Sequence, residues 1–224
     1  MNDRYIVTIY VVIDDILKAY GYADDCRATG TAAEILTVGV IAAKYFRNHH
    51  EWSLCVLTRL GYVHGLSVSR FNRRLHALRD WLYGIISVVT AIYTQGEAFI
   101  IDSMPLPVCK RARASHGKKV RRKAFCGYCA TKKEKFFGWR LHLICISDGV
   151  PVSFDLLPAS EQDLTPNSWA DEYDLRLYRK RIETVYTQME AMGIQHLHAR
   201  TNHGFDLKAH ATLLALALTN IISD

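Results

Sequence analysis

The sequence predicts a mixed fold of the α+β or α/β class, with an N-terminal all-helical region over residues 1–94 and a second region over residues 95–224 in which a mixed sheet is flanked by helices. Apolar residues recur at helical spacing before residue 95, and two apolar runs joined by a hairpin signal follow it. Of the 224 residues, 50% are apolar and 22% are charged. That composition builds a packed core and excludes a wholly disordered chain.

The first region is expected to form five helices. Thr29 or Thr31 is expected to cap the second helix, and Glu34 lies three residues after Thr31, which is the spacing of a capping box. Phe71, Leu75 and Leu78 recur at i, i+4 and i+7, so they form one apolar stripe on a later helix. The predicted helices cover Ile6–Tyr20, Thr31–Phe46, Glu51–Leu60, the segment around Phe71, and Trp81–Tyr93.

The helix around Phe71 has two interpretations. With the helix over Glu51–Leu60 it fits a helix-turn-helix pair, in which the second helix enters a groove of DNA. The pattern fits equally well an amphipathic helix whose basic face is solvated. In the first interpretation, the residues that face the groove are Arg70, Asn72, Arg73 and Arg74.

The second region is expected to open with a buried strand. The run Ala98–Asp102 is apolar up to its final residue, and Pro105 and Pro107 are expected to stop the strand there. A hairpin signal, Ser147-Asp148-Gly149, follows later in the chain. It joins predicted strands over Arg140–Ile146 and Val150–Leu157, and helices are predicted over Asp174–Ala191 and about Leu207–Ile222.

Two carboxylates are candidates for chemistry. Asp102 ends an apolar strand, where a carboxylate is costly to bury unless it is paired or binds a metal ion. The alternative is that Asp102 caps the turn at Ser103. Glu183 lies beside an apolar helical stripe, and the alternative for it is a surface contact with Arg179.

A basic segment separates the predicted strand from the hairpin. Residues 110–123 carry no acidic side chain, and aromatic residues interleave with the lysines that follow. Basic charge mixed with planar rings suits a nucleic acid backbone with bases nearby, and the alternative is a solvated loop. The net charge of +6 and the isoelectric point of about 9.0 also favour a polyanionic partner.

The chain is expected to be a cytoplasmic protein that does not cross a membrane. Acidic and basic residues interrupt the first apolar stretch, so it does not resemble a secretory signal. The uncharged stretch between Asp80 and Glu97 is shorter than the ~20 residues that a membrane span requires. The six cysteines are therefore expected to be reduced thiols. The Cys126-x2-Cys129 pair is a poor zinc site if it is extended, because residues three apart then point to opposite faces.

Several segments together resemble the DDE transposases of bacterial insertion sequences. The similarity covers nearly the whole chain and keeps the order of the family's motifs. The segments that carry it are Ser69–His76, Phe99–Cys109, Gly127–Lys132, Phe137–Leu143, Leu157–Asp163 and Tyr178–Tyr186.

The resemblance implies a ribonuclease-H-like catalytic domain and a Mg²⁺- or Mn²⁺-dependent reaction. In that family, a carboxylate on the first strand matches Asp102, and a glutamate on a late helix matches Glu183. Together they hold two ions at the scissile phosphate, where DNA ends are cleaved and then joined to target DNA. The expected partners are insertion-sequence ends, target DNA and a second copy of the chain, at the bacterial nucleoid. The expected DNA contacts are Arg70, Asn72, Arg73, Arg74, Lys118, Lys119, Arg121, Arg122, Lys123, Arg179 and Lys180.

The sequence departs from the family where the second catalytic Asp is expected. The chain passes directly from Pro166 to Asn167, and the apolar strand that carries this residue in the family is missing. This indicates an internal deletion of about two strands, and none of the acids nearby, Asp163, Asp171 and Asp174, matches the lost motif. Catalysis is therefore expected to be impaired. The alternatives are a DNA-binding remnant that occupies element ends, a poorly folded fragment, and a ribonuclease-H-type nuclease.

Overall fold

The computed structural model of the chain describes residues 1–92, 99–110, 123–129, 133–160, 172–199 and 201–222. In these ranges the chain forms seven α-helices and a four-stranded antiparallel sheet, so the mixed fold with a helical N-terminal region is confirmed. The predicted boundary between residues 94 and 95 lies outside the described ranges. The helices are α1 (Asp3–Ala19), α2 (Ala32–Phe46), α3 (His50–Arg59), α4 (Val68–Ala77), α5 (Arg79–Ile92), α6 (Glu172–Ala191) and α7 (Asn202–Ile222). The strands are β1 (Phe99–Lys110), β2 (Cys126–Cys129), β3 (Glu134–Ile146) and β4 (Pro151–Pro158).

Side-chain caps start the N-terminal helices, and the cap of α2 lies where the sequence predicts. Thr31 Oγ1 accepts a hydrogen bond from the backbone N–H of Glu34 at 3.1 Å, and Glu34 Oε2 accepts from the N–H of Thr31 at 2.6 Å. The predicted capping box of α2 is thus confirmed. Ser67 caps α4 in the same way, with its Oγ 3.4 Å from the N–H of Arg70. These bonds satisfy N–H groups that a helix start otherwise leaves without a partner.

Two apolar helices, α2 and α7, lie at the centre of the core. From Ala32 to Ala43 all but one residue of α2 is buried, and the middle of α7 is equally inaccessible. The two helices are in contact, and α7 also packs against α5 and β4, so one hydrophobic core joins the helices to the sheet. By length and composition α7 is able to span a membrane, but 67% of its most apolar window is buried inside the protein.

The sheet is built around β3, which pairs with β1, β2 and β4. The expectation that Pro105 and Pro107 end the first strand is wrong, because β1 continues to Lys110. The two prolines occupy alternate positions, so their missing N–H groups fall on one side of the strand and the pairing with β3 continues past them. All described strand pairs are antiparallel, whereas a mixed sheet was expected.

The hairpin turn between β3 and β4 is held by both C-terminal helices. Gly149 adopts a φ of 81°, which residues with a Cβ rarely tolerate, and its N–H donates to Ile146 O at 2.8 Å. Arg181 of α6 donates to the carbonyl of Asp148, and Asn220 of α7 donates to that of Gly149 at 2.7 Å. The predicted hairpin is therefore confirmed, and its tip is fixed against α6 and α7.

Candidate functional site

Asp102 lies within β1 and not at the end of the strand. It is opposite Leu143 of β3, and its side chain shares a face with Ile100 and Met104, which are buried. The Asp102 side chain is exposed, and its Oδ1 accepts a hydrogen bond from the backbone N–H of Ser103 at 2.7 Å. A carboxylate thus interrupts the apolar face of the first strand at a point that solvent reaches.

Glu183 lies on α6 next to the buried stripe of that helix. Ile182, Val185 and Met189 are buried, as the helical periodicity predicts. Glu183 itself is exposed. Since the Arg179 side chain is outside the described part of the structure, its predicted contact with Glu183 stays a prediction.

The elements that carry the two carboxylates pack against each other, because α6 contacts β1. Carboxylate oxygens suit Mg²⁺ and Mn²⁺. The described residues nevertheless contain no group of three or more His, Cys, Asp or Glu side chains that could hold a metal ion. Asp163 and Asp171 lie outside the described residues, as does the side chain of Asp174. The described acidic groups therefore do not fit the two-ion centre that the family resemblance implies.

Much of the predicted basic surface lies outside the described residues. This applies to Lys118, Lys119, Arg121 and Arg122, and to the side chain of Arg179. Lys123 is exposed in a short 3-10 turn before β2, and Lys180 is exposed on α6. Only these two lysines of the C-terminal set have described side chains, and both are accessible to a polyanion.

The four α4 residues that are expected to contact DNA divide into two pairs. Arg70 and Arg73 are exposed, as a DNA-facing role requires. Arg74 instead turns toward the loop before α2, where its Nη2 lies 2.6 Å from Asp24 Oδ1 and its Nη1 donates to Thr29 O at 2.9 Å. Asn72 Oδ1 lies 3.2 Å from His50 Nδ1 of α3. Asn72 and Arg74 therefore hold α4 in place, which the periodicity of the sequence did not reveal.

His50 fixes the angle between α3 and α4. Its ring packs edge-on against Phe71 with centroids 5.5 Å apart, while its Nδ1 faces Asn72. Burial lowers the pKa of His50 to about 4, and the nearby Lys208 adds to this effect. The imidazole is therefore neutral at physiological pH and serves as a packing group.

A polar row crosses the sheet on the face opposite to Asp102. Ser103 of β1, His142 of β3 and Asp155 of β4 occupy directly opposing positions, and Arg140 Nη1 donates to Ser103 Oγ at 3.2 Å. His142 is 6% exposed, and among the described residues neither of its ring nitrogens has a hydrogen-bond partner. No described hydrogen bond joins His142 to Ser103, whereas an activated serine nucleophile is normally hydrogen-bonded to its base. Strand alternation together with the hairpin register is the sequence signal that could have revealed it.

A second network missed at the sequence level joins α5 to α7. Tyr83 donates its hydroxyl to Asp206, and the opposite carboxylate oxygen lies 3.2 Å from His210 Nδ1. The His210 ring stacks on Tyr83 with centroids 3.8 Å apart. Burial acts to raise the pKa of Asp206, but hydrogen bonds from His210 and Tyr83 outweigh it and hold that pKa below its usual value. The network lies on the helix pair that supports β4 and fastens the two helices together.

The described geometry thus offers two candidate sites. One is the pair of carboxylates on β1 and α6, and the other is the basic face of α4. Comparison of the chain with protein-family models, curated proteins and solved structures finds no match.

Proposed function

We propose that the chain is a DNA transposase by descent, with an incomplete ribonuclease-H-like domain, that binds DNA and whose metal-dependent strand cleavage is impaired. One observation carries the proposal. Three antiparallel strands lie side by side in the order β1, β3, β4, the first carries Asp102, and the helix that carries Glu183 packs on that strand. This arrangement is what the resemblance to DDE transposases implies for their first and last carboxylates.

The impairment follows from the number of ligands. Transfer of a phosphoryl group by two metal ions requires carboxylates that fix both ions relative to the scissile phosphate. Asp102 and Glu183 supply two, and the loss of the middle Asp leaves the ions without the geometry they need. The residues of this chain contribute the carboxylates and the basic surfaces that hold DNA.

The state of the sheet supports an internal deletion. Phe99 and Ile101 lie on one face of β1, and each is 48% exposed. In the described sheet β1 pairs only with β3, so it is an edge strand, and apolar side chains of this size at an open edge are normally covered by neighbouring elements. Removal of about two strands and their connections near residues 166 and 167, which lie outside the described ranges, accounts for this exposure.

The proposal has further parts that follow from the same resemblance. The DNA is that of insertion-sequence ends and of the target, and two copies of the chain pair two ends. The site of action is the bacterial nucleoid in the cytoplasm. The basic composition of the chain supports a polyanionic partner.

The test is a cleavage assay with purified protein, DNA that carries the ends of the element, and Mg²⁺ or Mn²⁺. We expect binding with little or no strand cleavage. Asp102→Asn is the informative variant, and Asp148→Asn, which changes an exposed aspartate on the hairpin, is the matched control. Robust cleavage that only Asp102→Asn abolishes would overturn the impairment, and a protein without affinity for DNA would overturn the whole proposal.

A second candidate is a DNA-binding remnant that occupies element ends without any residual chemistry. It is favoured by the exposure of Arg70 and Arg73, which does not depend on a metal ion. This candidate requires that Asp102→Ala and Glu183→Ala leave a salt-sensitive affinity for DNA unchanged. A metal-dependent gain in affinity that either substitution removes would favour the transposase instead.

A further inference from the structure

We infer that the loop before α2 and the exposed face of α4 form a cleft for the phosphate backbone of DNA, with Arg27 as a binding residue that the helix-turn-helix interpretation does not include. The identity of the polyanion rests on the proposed function. The mode of binding is independent of the proposed function, because it is inferred from the residues that line the cleft. This cleft binds phosphates and does not read bases.

The cleft is open and lined mainly by arginines. Its volume is about 480 Å³. One wall is the loop and the other is the first two turns of α4 and the residue that ends it. The lining residues are Arg27, Ala28, Thr29, Arg70, Arg73, Arg74 and Ala77.

Hydrogen bonds build the loop wall and place Arg27. Asp25 Oδ1 accepts from the backbone N–H of Arg27 at 2.8 Å, and Asp25 O accepts from the N–H of Ala28 at the same distance. This is a tight turn of the kind that aspartate favours. The turn is attached to α2, because Asp24 Oδ2 accepts from the N–H of Ala32 at 2.9 Å. The Arg27 side chain thus starts from a fixed backbone and is exposed.

Arg74 forms the floor between the two walls. Its guanidinium group pairs with Asp24 at 2.6 Å and donates to the carbonyls of Thr29 and Gly30. These bonds occupy both of its terminal nitrogens. Arg74 therefore joins α4 to the loop and neutralises Asp24, so its first role is structural.

Three cationic groups remain for a ligand. Within the described part of the chain, the guanidinium groups of Arg27, Arg70 and Arg73 make no hydrogen bond or ion pair. Arg70 and Arg73 are three residues apart and so share one side of α4. Arg74 neutralises Asp24, so Asp25 is the acid of the loop that stands against the charges of Arg27, Arg70 and Arg73. The cleft is therefore strongly positive. Planar guanidinium groups bind phosphate oxygens in pairs of hydrogen bonds, which makes a phosphodiester the best-matched ligand.

The same geometry argues against base recognition at this surface. Asn72 is the α4 side chain suited to read an adenine edge, but it faces His50 of α3. Arg74 is engaged at the floor. The residues left exposed are those that bind phosphates equally well next to any sequence.

The experiment measures the affinity of the full chain for two short labelled duplexes of unrelated sequence, by fluorescence anisotropy over a range of salt concentrations. Arg27→Gln is the main variant, with Arg70→Gln and Arg73→Gln beside it. Arg4→Gln and Arg59→Gln change exposed arginines on α1 and α3 that do not line the cleft, so they are the matched controls. Circular dichroism and thermal unfolding verify that each variant is folded.

We expect each cleft variant to bind both duplexes about tenfold more weakly and to lower the salt dependence by about one counterion, whereas the controls bind as the parent does. Unchanged affinity in Arg27→Gln, or an equal loss in the controls, would overturn the cleft. A loss that differs between the two duplexes would show base reading and would overturn the phosphate mode. Failure of the proposed impairment gives a different result, since robust cleavage that depends on Asp102 would leave these affinities in place.

Discussion

The guanidinium group of Arg74 lies 2.6 Å from the carboxylate of Asp24, and this pair joins α4 to the loop that precedes α2. Both side chains are about three-quarters buried, so solvent screens the pair less than it does an open surface pair. Because Asp24 also accepts from the first turn of α2, one contact fixes the positions of two helices. The loop and α4 that this pair joins are the two walls of the cleft lined by Arg27, Arg70 and Arg73.

Arg74→Gln is expected to lower the free energy of unfolding by about 1–2 kcal/mol. The substitution removes the ion pair and at least one hydrogen bond to the loop backbone. Urea unfolding measures the change. Arg73→Gln, on an exposed neighbour with no described partner, is the control and is expected to change stability by less than about 0.5 kcal/mol. Equal effects of the two substitutions would contradict a structural role for Arg74.

The free energy of unfolding is expected to decrease as the pH is lowered, because of His50. Burial holds its pKa at about 4 in the folded chain, whereas the unfolded value is 6.5, so the unfolded state takes up a proton first as the pH drops. The contribution of neutral His50 is complete above pH 6.5 and is lost as the pH falls toward 4. Between about pH 7 and about pH 5 the loss is about 2 kcal/mol.

Denaturant unfolding across this pH range tests the prediction for His50. His50→Gln keeps a group that hydrogen-bonds Asn72 but does not titrate, so the slope of stability against pH is expected to flatten. His64→Gln, which alters an exposed histidine, serves as the control. A slope that His64→Gln removes and His50→Gln preserves would refute the assignment.

Asp206 is expected to affect the pH dependence of stability in a more acidic range than His50 does. Although burial opposes ionisation, hydrogen bonds from His210 and Tyr83 lower the pKa of Asp206 below 3.8, so the folded state stabilises the carboxylate. This contribution is complete above about pH 4 and is lost as the pH falls through the folded pKa. The melting temperature of Asp206→Asn is therefore expected to depend less on pH below about pH 4 than that of the parent. Asp15→Asn, at an exposed position on α1, should reproduce the parent profile.

Gly138 is expected to tolerate no side chain. A Cβ at this position would lie 2.3 Å from the carbonyl oxygen of Leu106 and 2.7 Å from the nitrogen of Val108, both on the backbone of β1. Gly138→Ala therefore forces β1 and β3 apart and should cost about 3 kcal/mol or more. Gly84→Ala is the matched control, because nothing lies within 4 Å of its Cβ and alanine favours a helix, so it should stabilise by about 0.5–1 kcal/mol. If Gly84→Ala destabilised the protein and Gly138→Ala did not, the steric role of Gly138 would be contradicted.

Strand β1 shows where prediction from the sequence succeeds and where it stops. The apolar run before Asp102 identifies the strand, and the hairpin signal at Gly149 identifies β3 and β4. The end of β1 was misjudged because the effect of a proline depends on which side of the strand its missing N–H group faces. That side is set by pairing with β3, a contact between residues far apart in sequence.

Helix α4 shows the same limit of prediction from the sequence at the candidate site. Periodicity identifies Phe71 and Leu75 as core residues, and both are buried. It does not separate Arg74, which pairs with Asp24 fifty positions away, from Arg73, which faces solvent. The partner of a polar side chain is chosen by tertiary packing, and helical spacing carries no information on that choice.

The sequence by itself determined the helical first region, the capping box at Thr31, the hairpin at Gly149 and the buried stripe of α6, since each depends on hydrogen bonds or periodicity within a short segment. Only the tertiary structure decided that β1 extends past its prolines, that α6 packs on β1, and that Arg27 lies across a cleft from Arg70. These features join segments that are distant in the chain, and they arise because the shared core around α2 and α7 buries apolar surface from all of them at once.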